Sequence, residues 1–136
     1  MAQKVKATIE RGSDNKYSVY TDFVLNGYGL MGYGDTVEEA KNDFIEAYNE
    51  ACEMLLESGK TAIELEFVFY YDIASFLDHY SKMLSKSGLE AITGINQKQL
   101  GHYYNGNKHP RPETVKKIQQ SIYAFAGTLQ QVRFID

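Results

Sequence analysis

Residues 93–112, TGINQKQLGHYYNGNKHPRP, contain in order the signals that end one helix, turn the chain, and begin and end a second helix. Gly94 stands at the predicted turn, where positive φ is required and glycine is favoured. Asn96 is a suitable N-cap for the following helix, and Gln99, three residues later, completes a variant of the capping box. The Asn-Gly pair at 105–106 predicts the end of that helix through the left-handed conformation. The segment therefore predicts two short helices joined by a tight turn.

The second of these helices has an inner and an outer face. Leu100, Tyr103 and Tyr104 recur at helical spacing and are expected to pack inward. The outer face carries side chains that hydrogen-bond base edges, namely Gln97, Lys98 and His102. This pattern favours a helix-turn-helix that places its second helix in a DNA major groove. The alternative is a short solvated helix within a helical bundle.

Phosphate contacts are expected from polar and basic residues at the two ends of the same helix. Asn96 and Gln99 lie at its start, and a polar, basic loop with Lys108 and Arg111 follows its end. Pro112 is the predicted first residue of the next helix, because proline fixes a helical φ where no N–H is needed. The candidate DNA contacts are therefore Asn96, Gln97, Lys98, Gln99, His102, Lys108 and Arg111.

Residues 89–118, LEAITGINQKQLGHYYNGNKHPRPETVKKI, resemble the helix-turn-helix of the Cro and phage-repressor family. The resemblance implies that the N-cap, here Asn96, touches a phosphate. It also implies that the opening residues of the recognition helix, and one a turn later, read bases; the matching residues are Gln97, Lys98 and His102. Four positions before the turn glycine the family usually has a small residue, but this chain has Glu90. We therefore expect the geometry of the preceding helix to differ.

The length and composition indicate a globular chain with one domain or two small ones. No apolar run among its 136 residues is long enough to cross a membrane, and the charged, alternating N-terminus is not a signal peptide. Cys52 is the only cysteine, which excludes an intrachain disulfide and a multi-cysteine zinc site. We expect a cytoplasmic protein without a cofactor or a bound metal ion.

The net charge of −4 conceals two oppositely charged halves. Residues 1–72 contain six Lys and Arg against fourteen Asp and Glu, a net charge of −8. Residues 73–136 contain eight against four, a net charge of +4. This division predicts a basic module suited to nucleic acid, joined to an acidic module suited to a basic protein partner. An acidic face is also common on proteins that have no such partner.

The first half begins with three predicted strands. Residues 4–11 and 16–21 alternate apolar and polar positions around a turn at 12–15, which predicts a β-hairpin. The stretch at 25–35, LNGYGLMGYGD, spells the G-x-G-x-x-G dinucleotide fingerprint at Gly27, Gly29 and Gly32. That motif must open a helix within a parallel βαβ unit. We therefore interpret this stretch as a glycine-rich third strand with bends or bulges.

A long helix and a fourth strand complete the first module. Asp35 or Thr36 is the predicted cap of the helix, and Gly59 its predicted stop. One face of the helix is acidic, with Glu39, Asp43, Glu46, Glu50, Glu53 and Glu57. Residues 63–71 then alternate as a strand. The predicted fold class is α+β: a β-β-β-α-β domain at residues 1–71, followed by an all-α domain at residues 72–136.

The second module is predicted to contain three elements besides the recognition helix. A helix capped by Asp72 or Ser75 carries apolar residues as far as Leu84, and a capping box at Ser87 and Glu90 opens a short helix. The last helix carries an apolar stripe that we expect to be bundle core: Val115, Ile118, Ile122, Phe125 and Leu129. The tail at 131–134 alternates weakly and is predicted as a short strand suited to a two-fold contact, because such DNA readers bind palindromes as dimers.

The first module, with GYGDTVEEAKNDFIEAYNEACEMLLESGK at 32–60, resembles the N-terminal domain of HicB-type antitoxins. The shared features are the entry Gly34-Asp35-Thr36 and the glutamate-alanine steps of the helix. The resemblance implies a truncated ribonuclease-H-like fold that does not act as an enzyme and that covers a small basic toxin which cleaves RNA. It also implies a C-terminal DNA-binding domain that represses the operon, and that is the order of the two modules here.

Three functions follow from these patterns. The first is an antitoxin that neutralises a small basic RNA-cleaving toxin and, as a dimer or higher homo-oligomer, represses its operon by binding operator DNA. The second is a phage-like or metabolic repressor whose N-terminal domain senses a ligand. The third is a ribonuclease-H-like nuclease, which needs carboxylates converging on Mg²⁺; the available residues are Asp14, Asp22 and Asp35. We favour the first and expect no catalytic activity.

Overall fold

The structure is a computed structural model that describes residues 2–25, 27–61 and 63–136. Its elements in chain order are β1 (Gln3–Arg11), β2 (Tyr17–Leu25), β3 (Tyr28–Gly34), α1 (Val37–Glu57), β4 (Leu65–Tyr71), α2 (Ile73–His79), α3 (Lys86–Thr93), α4 (Gln97–Tyr104) and α5 (Pro112–Gln130). Within those ranges the fold is α+β, with a four-stranded mixed sheet and five helices, which confirms the predicted class. None of the helices in the described ranges is long and apolar enough to cross a membrane.

The four strands form one sheet in the order β3-β2-β1-β4. β1 pairs antiparallel with β2, and β2 pairs antiparallel with β3, as the predicted hairpin and third strand require. β4 lies on the other side of β1 and runs parallel to it. A parallel neighbour needs a crossover connection, which α1 supplies. The predicted order β-β-β-α-β is therefore confirmed.

One face of the sheet forms the core of the N-terminal half. Ala7 and Ile9 of β1 and Val19 of β2 are fully buried, whereas the residues between them are not, as the predicted period of two requires. Phe44 of α1 is also fully buried. Its ring meets that of Phe67 of β4 edge to face, with 4.8 Å between the centroids.

The glycines of β3 allow α1 to approach the sheet closely. A Cβ atom on Gly32 would overlap the backbone of Phe44 and Ala40, and one on Gly34 would lie 2.6 Å from the Ala40 nitrogen. Only a residue without a side chain fits at these two positions. Helix packing thus explains Gly32 and Gly34, Gly27 has a positive φ of +83°, and the interpretation of a glycine-rich third strand is confirmed.

Both ends of α1 use the predicted residues. The Thr36 hydroxyl accepts a hydrogen bond from the Glu39 N–H at 3.1 Å, and the Glu39 carboxylate accepts one from the Asp35 N–H at 2.9 Å. Gly59 follows the helix with φ of +76°. Leu56, an apolar residue expected to pack inward with Leu55, is 61% exposed, whereas Leu55 is buried, because neighbouring residues of a helix point about 100° apart.

The chain divides into two compact units, Met1–Ser75 and Phe76–Asp136. The sequence placed the division at 71/72, four residues earlier. The Ser75 hydroxyl is buried and accepts a hydrogen bond from the Arg11 N–H at 2.7 Å. The Ser75 N–H donates to the Asp72 carboxylate. These bonds attach the first turn of α2 to β1, so that the division falls inside this helix.

Two features predicted before the turn at Gly94 were wrong. α2 ends at His79 and does not continue to Leu84, since the Ser81 N–H donates to the Asp78 carbonyl three residues back, at 3.3 Å, which is a turn and not an α-helical bond. Met83, expected in the core, is exposed. α3 is capped by Ser85, whose hydroxyl accepts a hydrogen bond from the Gly88 N–H at 3.0 Å, and not by Ser87.

The last helix begins as predicted but is less buried than predicted. Pro112 is its first residue and Arg111 its N-cap. Ile118 is buried, but Val115, Phe125 and Leu129 of the expected core stripe are exposed. The tail after α5 forms no strand, because a strand needs a neighbour to which its backbone groups can bond. The last helix is therefore not enclosed in a bundle within the described chain.

Candidate nucleic-acid interface

The turn between α3 and α4 is built from local hydrogen bonds. Gly94 has φ of +77°, and its N–H donates to the Glu90 carbonyl at 2.8 Å. Thr93 is buried; its hydroxyl donates to the Leu89 carbonyl at 2.7 Å and accepts from the Ile95 N–H at 3.2 Å. The prediction of a glycine turn is confirmed, and Thr93 adds two bonds that fix the direction in which α4 leaves it.

Two side chains cap the start of α4. The Asn96 carbonyl oxygen accepts the Gln99 N–H at 2.8 Å, which confirms the predicted N-cap. The Glu90 carboxylate accepts the Gln97 N–H at 2.9 Å. A carboxylate is favoured at this end of a helix, where the partial charge of the backbone is positive. Glu90 therefore acts as a second cap, which explains a glutamate at a position where a small residue was expected.

One backbone donor remains at the start of α4. Of its first three N–H groups, that of Gln97 bonds to Glu90 and that of Gln99 bonds to Asn96. The Lys98 N–H has no hydrogen bond within the described chain, and the Lys98 side chain is exposed. A free N–H and an ammonium on the same residue form a donor pair that suits an anion or a base edge.

The inner face of α4 holds the helix on the rest of the unit. Leu100 and Tyr103 are buried, and Tyr104 is half-buried. The Gln99 side-chain amide donates to the Tyr103 hydroxyl at 2.9 Å, and the Tyr104 hydroxyl donates to the Asp78 carboxylate at 3.0 Å. Gln99, which we expected at a phosphate, thus uses its amide on this inner face in the structure.

The remaining candidate residues are accessible. Asn96, Gln97, Lys98, Lys108 and Arg111 are exposed, and His102 is half-buried. The Lys108 N–H donates to the His102 carbonyl at 3.3 Å, which brings the basic loop against the last turn of α4. Gly106, with φ of +76°, makes this reversal possible. The structure thus brings Lys108 to the end of α4, whereas Arg111 stands farther along the loop at the start of α5.

Two basic residues near α4 were not selected from the sequence. A Cβ atom on Gly94 would lie 3.8 Å from the Lys117 ammonium, which places that charge at the turn. The Lys86 ammonium lies at the same distance from a Cβ on Gly101, on α4 itself. The pair Lys116-Lys117, in the second turn of α5, was the available signal for the first of these. Positive charge therefore surrounds α4 on its turn and its loop.

The N-terminal unit has two exposed surfaces that could meet a partner. The acidic residues of α1 are exposed, although the Asp43 carboxylate also accepts the Tyr33 N–H of β3 at 2.9 Å. The sheet face opposite the core, hereafter the open sheet face, carries one row of side chains across the four strands, Tyr70, Thr8, Tyr20 and Met31, of which all but Thr8 are large. The acidic surface was predicted from the sequence, and the open sheet face was not. The alternation of the strands was the signal that could have revealed it.

The three aspartates considered for a nuclease have local roles in the structure or lie apart. The Asp14 carboxylate accepts the Lys16 N–H at 3.0 Å within the first turn. Asp35 lies 3.8 Å from the Lys16 ammonium. Asp22 lies in the irregular part of β2. The described residues contain no group of three or more His, Cys, Asp or Glu side chains that could hold a metal ion.

The comparison with known proteins adds no assignment to this geometry. The chain matches no protein-family model, and no curated protein or solved structure is significantly similar to it.

Proposed function

We propose that the protein is a cytoplasmic repressor of the HicB antitoxin kind. Its C-terminal unit binds operator DNA as a dimer through a helix-turn-helix formed by α3 and α4. Its N-terminal unit neutralises a small basic toxin that cleaves RNA by covering it. The observation that supports the DNA-binding part best is the start of α4, where two caps and a buried inner face hold Lys98 exposed with an unbonded N–H.

The proposed DNA contacts divide into two classes. Gln97, Lys98 and His102 lie on the exposed side of α4 and read base edges, each good contact being worth about 1–3 kcal/mol. Asn96, Lys108 and Arg111 hold phosphates, which sets the register of the protein on the duplex. Lys117 joins this second class on the basis of its position at the turn.

The proposed toxin contact uses the N-terminal unit. Its net charge of −8 favours a basic partner, and its exposed acidic helix face concentrates that charge on one side. The open sheet face adds exposed aromatic area, because Tyr33 and Tyr70 are both at least half exposed. Charge and apolar area together suit the covering of a basic protein.

The DNA-binding proposal is tested by selection from a pool of random duplexes. We expect the wild-type chain to enrich one palindromic sequence, since two copies would present two copies of α4. We expect the triple variant Gln97→Ala, Lys98→Ala, His102→Ala to enrich none, while retaining its fold by circular dichroism. Enrichment of the same sequence by the triple variant would contradict the assignment of α4 as the reading helix.

The toxin proposal is tested by purifying the tagged chain from the cells that produce it. A stable, small, basic partner that cleaves RNA when it is freed supports the antitoxin. A small molecule retained by the N-terminal unit supports a ligand-sensing repressor. Magnesium-dependent cleavage of nucleic acid by the purified chain, lost in Asp22→Asn, would replace both with a nuclease.

A further inference from the structure

A cavity of about 290 Å³ opens between the helices of the C-terminal unit, beside Leu100 and Tyr104 of α4. Its walls come from three elements and the segment between two of them: Leu77 of α2, Leu84, Leu89 of α3 and Leu100 of α4. All four belong to the unit Phe76–Asp136. The cavity therefore lies within one compact body.

The early end of α2 leaves room for the cavity. The chain turns after His79, and Met83 is 64% exposed and does not line the cavity. The space between Leu77, Leu89 and Leu100 is therefore not filled by Met83.

The apolar walls and the volume of the cavity favour an apolar ligand of limited size. A cavity of about 150 Å³ lined by leucine-like side chains stays dry and holds benzene. A cavity of 290 Å³ accordingly has room for one aromatic ring with a short chain, or for an aliphatic group of similar volume. Apolar walls with a few polar groups at the opening are the usual composition of a small-molecule site.

The opening of the cavity carries one positive charge. The Lys86 ammonium lies 5.5 Å from the centre of the Tyr104 ring, and both residues line the cavity. The Tyr104 hydroxyl already donates to the Asp78 carboxylate, and the Ser81 hydroxyl, which also lines the cavity, donates to the Asp78 carbonyl. No carboxylate of the described residues lies within 4.0 Å of the Lys86 ammonium. The charge at the opening is thus available to an anion.

We propose that this cavity binds a small apolar or aromatic monocarboxylate. The apolar body lies among the leucines, and the carboxylate accepts hydrogen bonds from the Lys86 ammonium. A charge of this sign over an apolar cavity distinguishes a carboxylate from an uncharged molecule of the same shape. The alternative function of a ligand-sensing repressor assigns the ligand to the N-terminal domain, whereas this site is in the other unit.

Binding at this site is expected to strengthen DNA binding, and this part of the inference rests on the proposed function. Leu100 and Tyr104 form part of the inner face of α4 and also line the cavity. A ligand that fills the cavity stabilises the present position of α4, because it binds the ordered unit and not the unfolded chain. The outer face of α4 is then held in the arrangement that meets DNA.

The test is titration of the full chain with 3-phenylpropionate, followed by calorimetry and by the NMR signals of the leucine methyl groups. The uncharged 3-phenylpropanamide and acetate are the controls for the charge and for the apolar body. We expect 3-phenylpropionate to bind, to shift the methyl signals of Leu89 and Leu100, and to bind more tightly than either control. Absence of binding, or equal binding of the acid and the amide, would overturn the proposal.

Variants test the same site without DNA. Lys86 is exposed, so Lys86→Gln is expected to fold normally and to bind 3-phenylpropionate about fivefold more weakly, as for a partly screened ion pair. Lys82→Gln, in the turn before α3 but outside the cavity lining, should bind like the wild type. Leu84→Phe should fill the space and abolish binding. Wild-type affinity in both Lys86→Gln and Leu84→Phe would overturn the assignment.

The effect on DNA is measured separately, with the duplex obtained by selection. Binding of 3-phenylpropionate with a tighter complex on that duplex supports both parts of the inference. Ligand binding by a chain that selects no duplex would contradict the proposed function and leave the cavity assignment standing. Duplex selection by a chain that binds no 3-phenylpropionate would contradict the cavity assignment and leave the proposed function standing.

Discussion

At the scale of single residues, Glu90 carries the main departure from the Cro-like pattern. Its carboxylate bonds to the first N–H of α4. We predict that Glu90→Ala lowers the free energy of unfolding by about 1 kcal/mol, as loss of a helix cap does. Glu90→Gln keeps an acceptor and should lose less. Urea unfolding of the three proteins measures the difference, and an alanine variant as stable as the wild type would show that the bond contributes nothing.

Gly32 is a second residue whose role is set by a single missing atom. A Cβ there would overlap the backbone of α1, whereas one on Gly29 would meet nothing within 4 Å. We predict that Gly32→Ala destabilises the protein by about 1–3 kcal/mol or more, because the strand and the helix must separate. Gly29→Ala is the matched control in the same strand. Thermal unfolding at equal midpoints for the two variants would contradict the close approach of α1 to β3.

At the scale of elements, Tyr48 joins α1 to the start of β4. Its hydroxyl donates to the Ile63 carbonyl at 2.9 Å and accepts the Leu65 N–H at 3.0 Å. Burial raises the pKa of Tyr48 above its ordinary value of 10.0, while the Leu65 N–H acts in the opposite direction. The neutral hydroxyl is therefore favoured in the folded state, so that its contribution is complete below pH 10.0 and is lost as the pH rises through the higher folded value.

This gives a prediction for alkaline unfolding. Tyr48→Phe should lower the stability at neutral pH by about 1–2 kcal/mol, since both backbone groups lose a partner. The variant should also lose less stability than the wild type above pH 10.0. Some loss remains, because burial, together with Glu10, raises the pKa of Tyr20 as well. Tyr123→Phe, on an exposed ring, is the control. An unchanged alkaline profile in Tyr48→Phe would contradict the assignment.

The elements also show which patterns in the sequence were sufficient. Strand alternation and the caps at Thr36 and Asn96 identified the order of the elements, because each depends on residues a few positions apart. The cap of α3 was assigned two residues too late, because Ser85 and Ser87 are both suitable caps and only the backbone conformation decides between them. The end of α2 was missed because the N–H and the hydroxyl of Ser81 both donate to the Asp78 carbonyl and compete with helix continuation.

At the scale of the whole molecule, the charge division coincides with a division into two units near the predicted position. The net charge of a segment is the sum over its residues, so the sequence alone is sufficient to find where the charge changes sign. Strand alternation indicates the open sheet face only one strand at a time, and no pattern in the sequence indicates the leucine cavity. Both depend on which side chains are brought together by pairing or left apart by a turn, as with Lys86 and Tyr104.

The exposed end of α5 and the tail lead to a prediction about assembly. Leu129 is 53% exposed and Phe134 is 91% exposed, which is a large apolar area for a chain without a partner. We expect a dimer through this surface. Phe134→Ser with Leu129→Ser should shift light scattering toward the monomer and weaken association at least about tenfold. Val24→Ser, at another exposed apolar residue, should not. A wild-type monomer at high concentration would contradict the prediction.

The central claim is that the outer face of α4 reads bases while the loop after it holds phosphates. Its most direct test is the affinity of Lys98→Ala and Lys108→Ala for the selected duplex and for a mismatched duplex, at several salt concentrations, with Lys82→Ala as the control. We predict that Lys98→Ala lowers the ratio of the affinity for the selected duplex to the affinity for the mismatched duplex. Lys108→Ala should weaken binding to both duplexes equally. It should also reduce, by about one, the slope of the logarithm of the binding constant against the logarithm of the salt concentration. An undiminished preference in Lys98→Ala would contradict the claim.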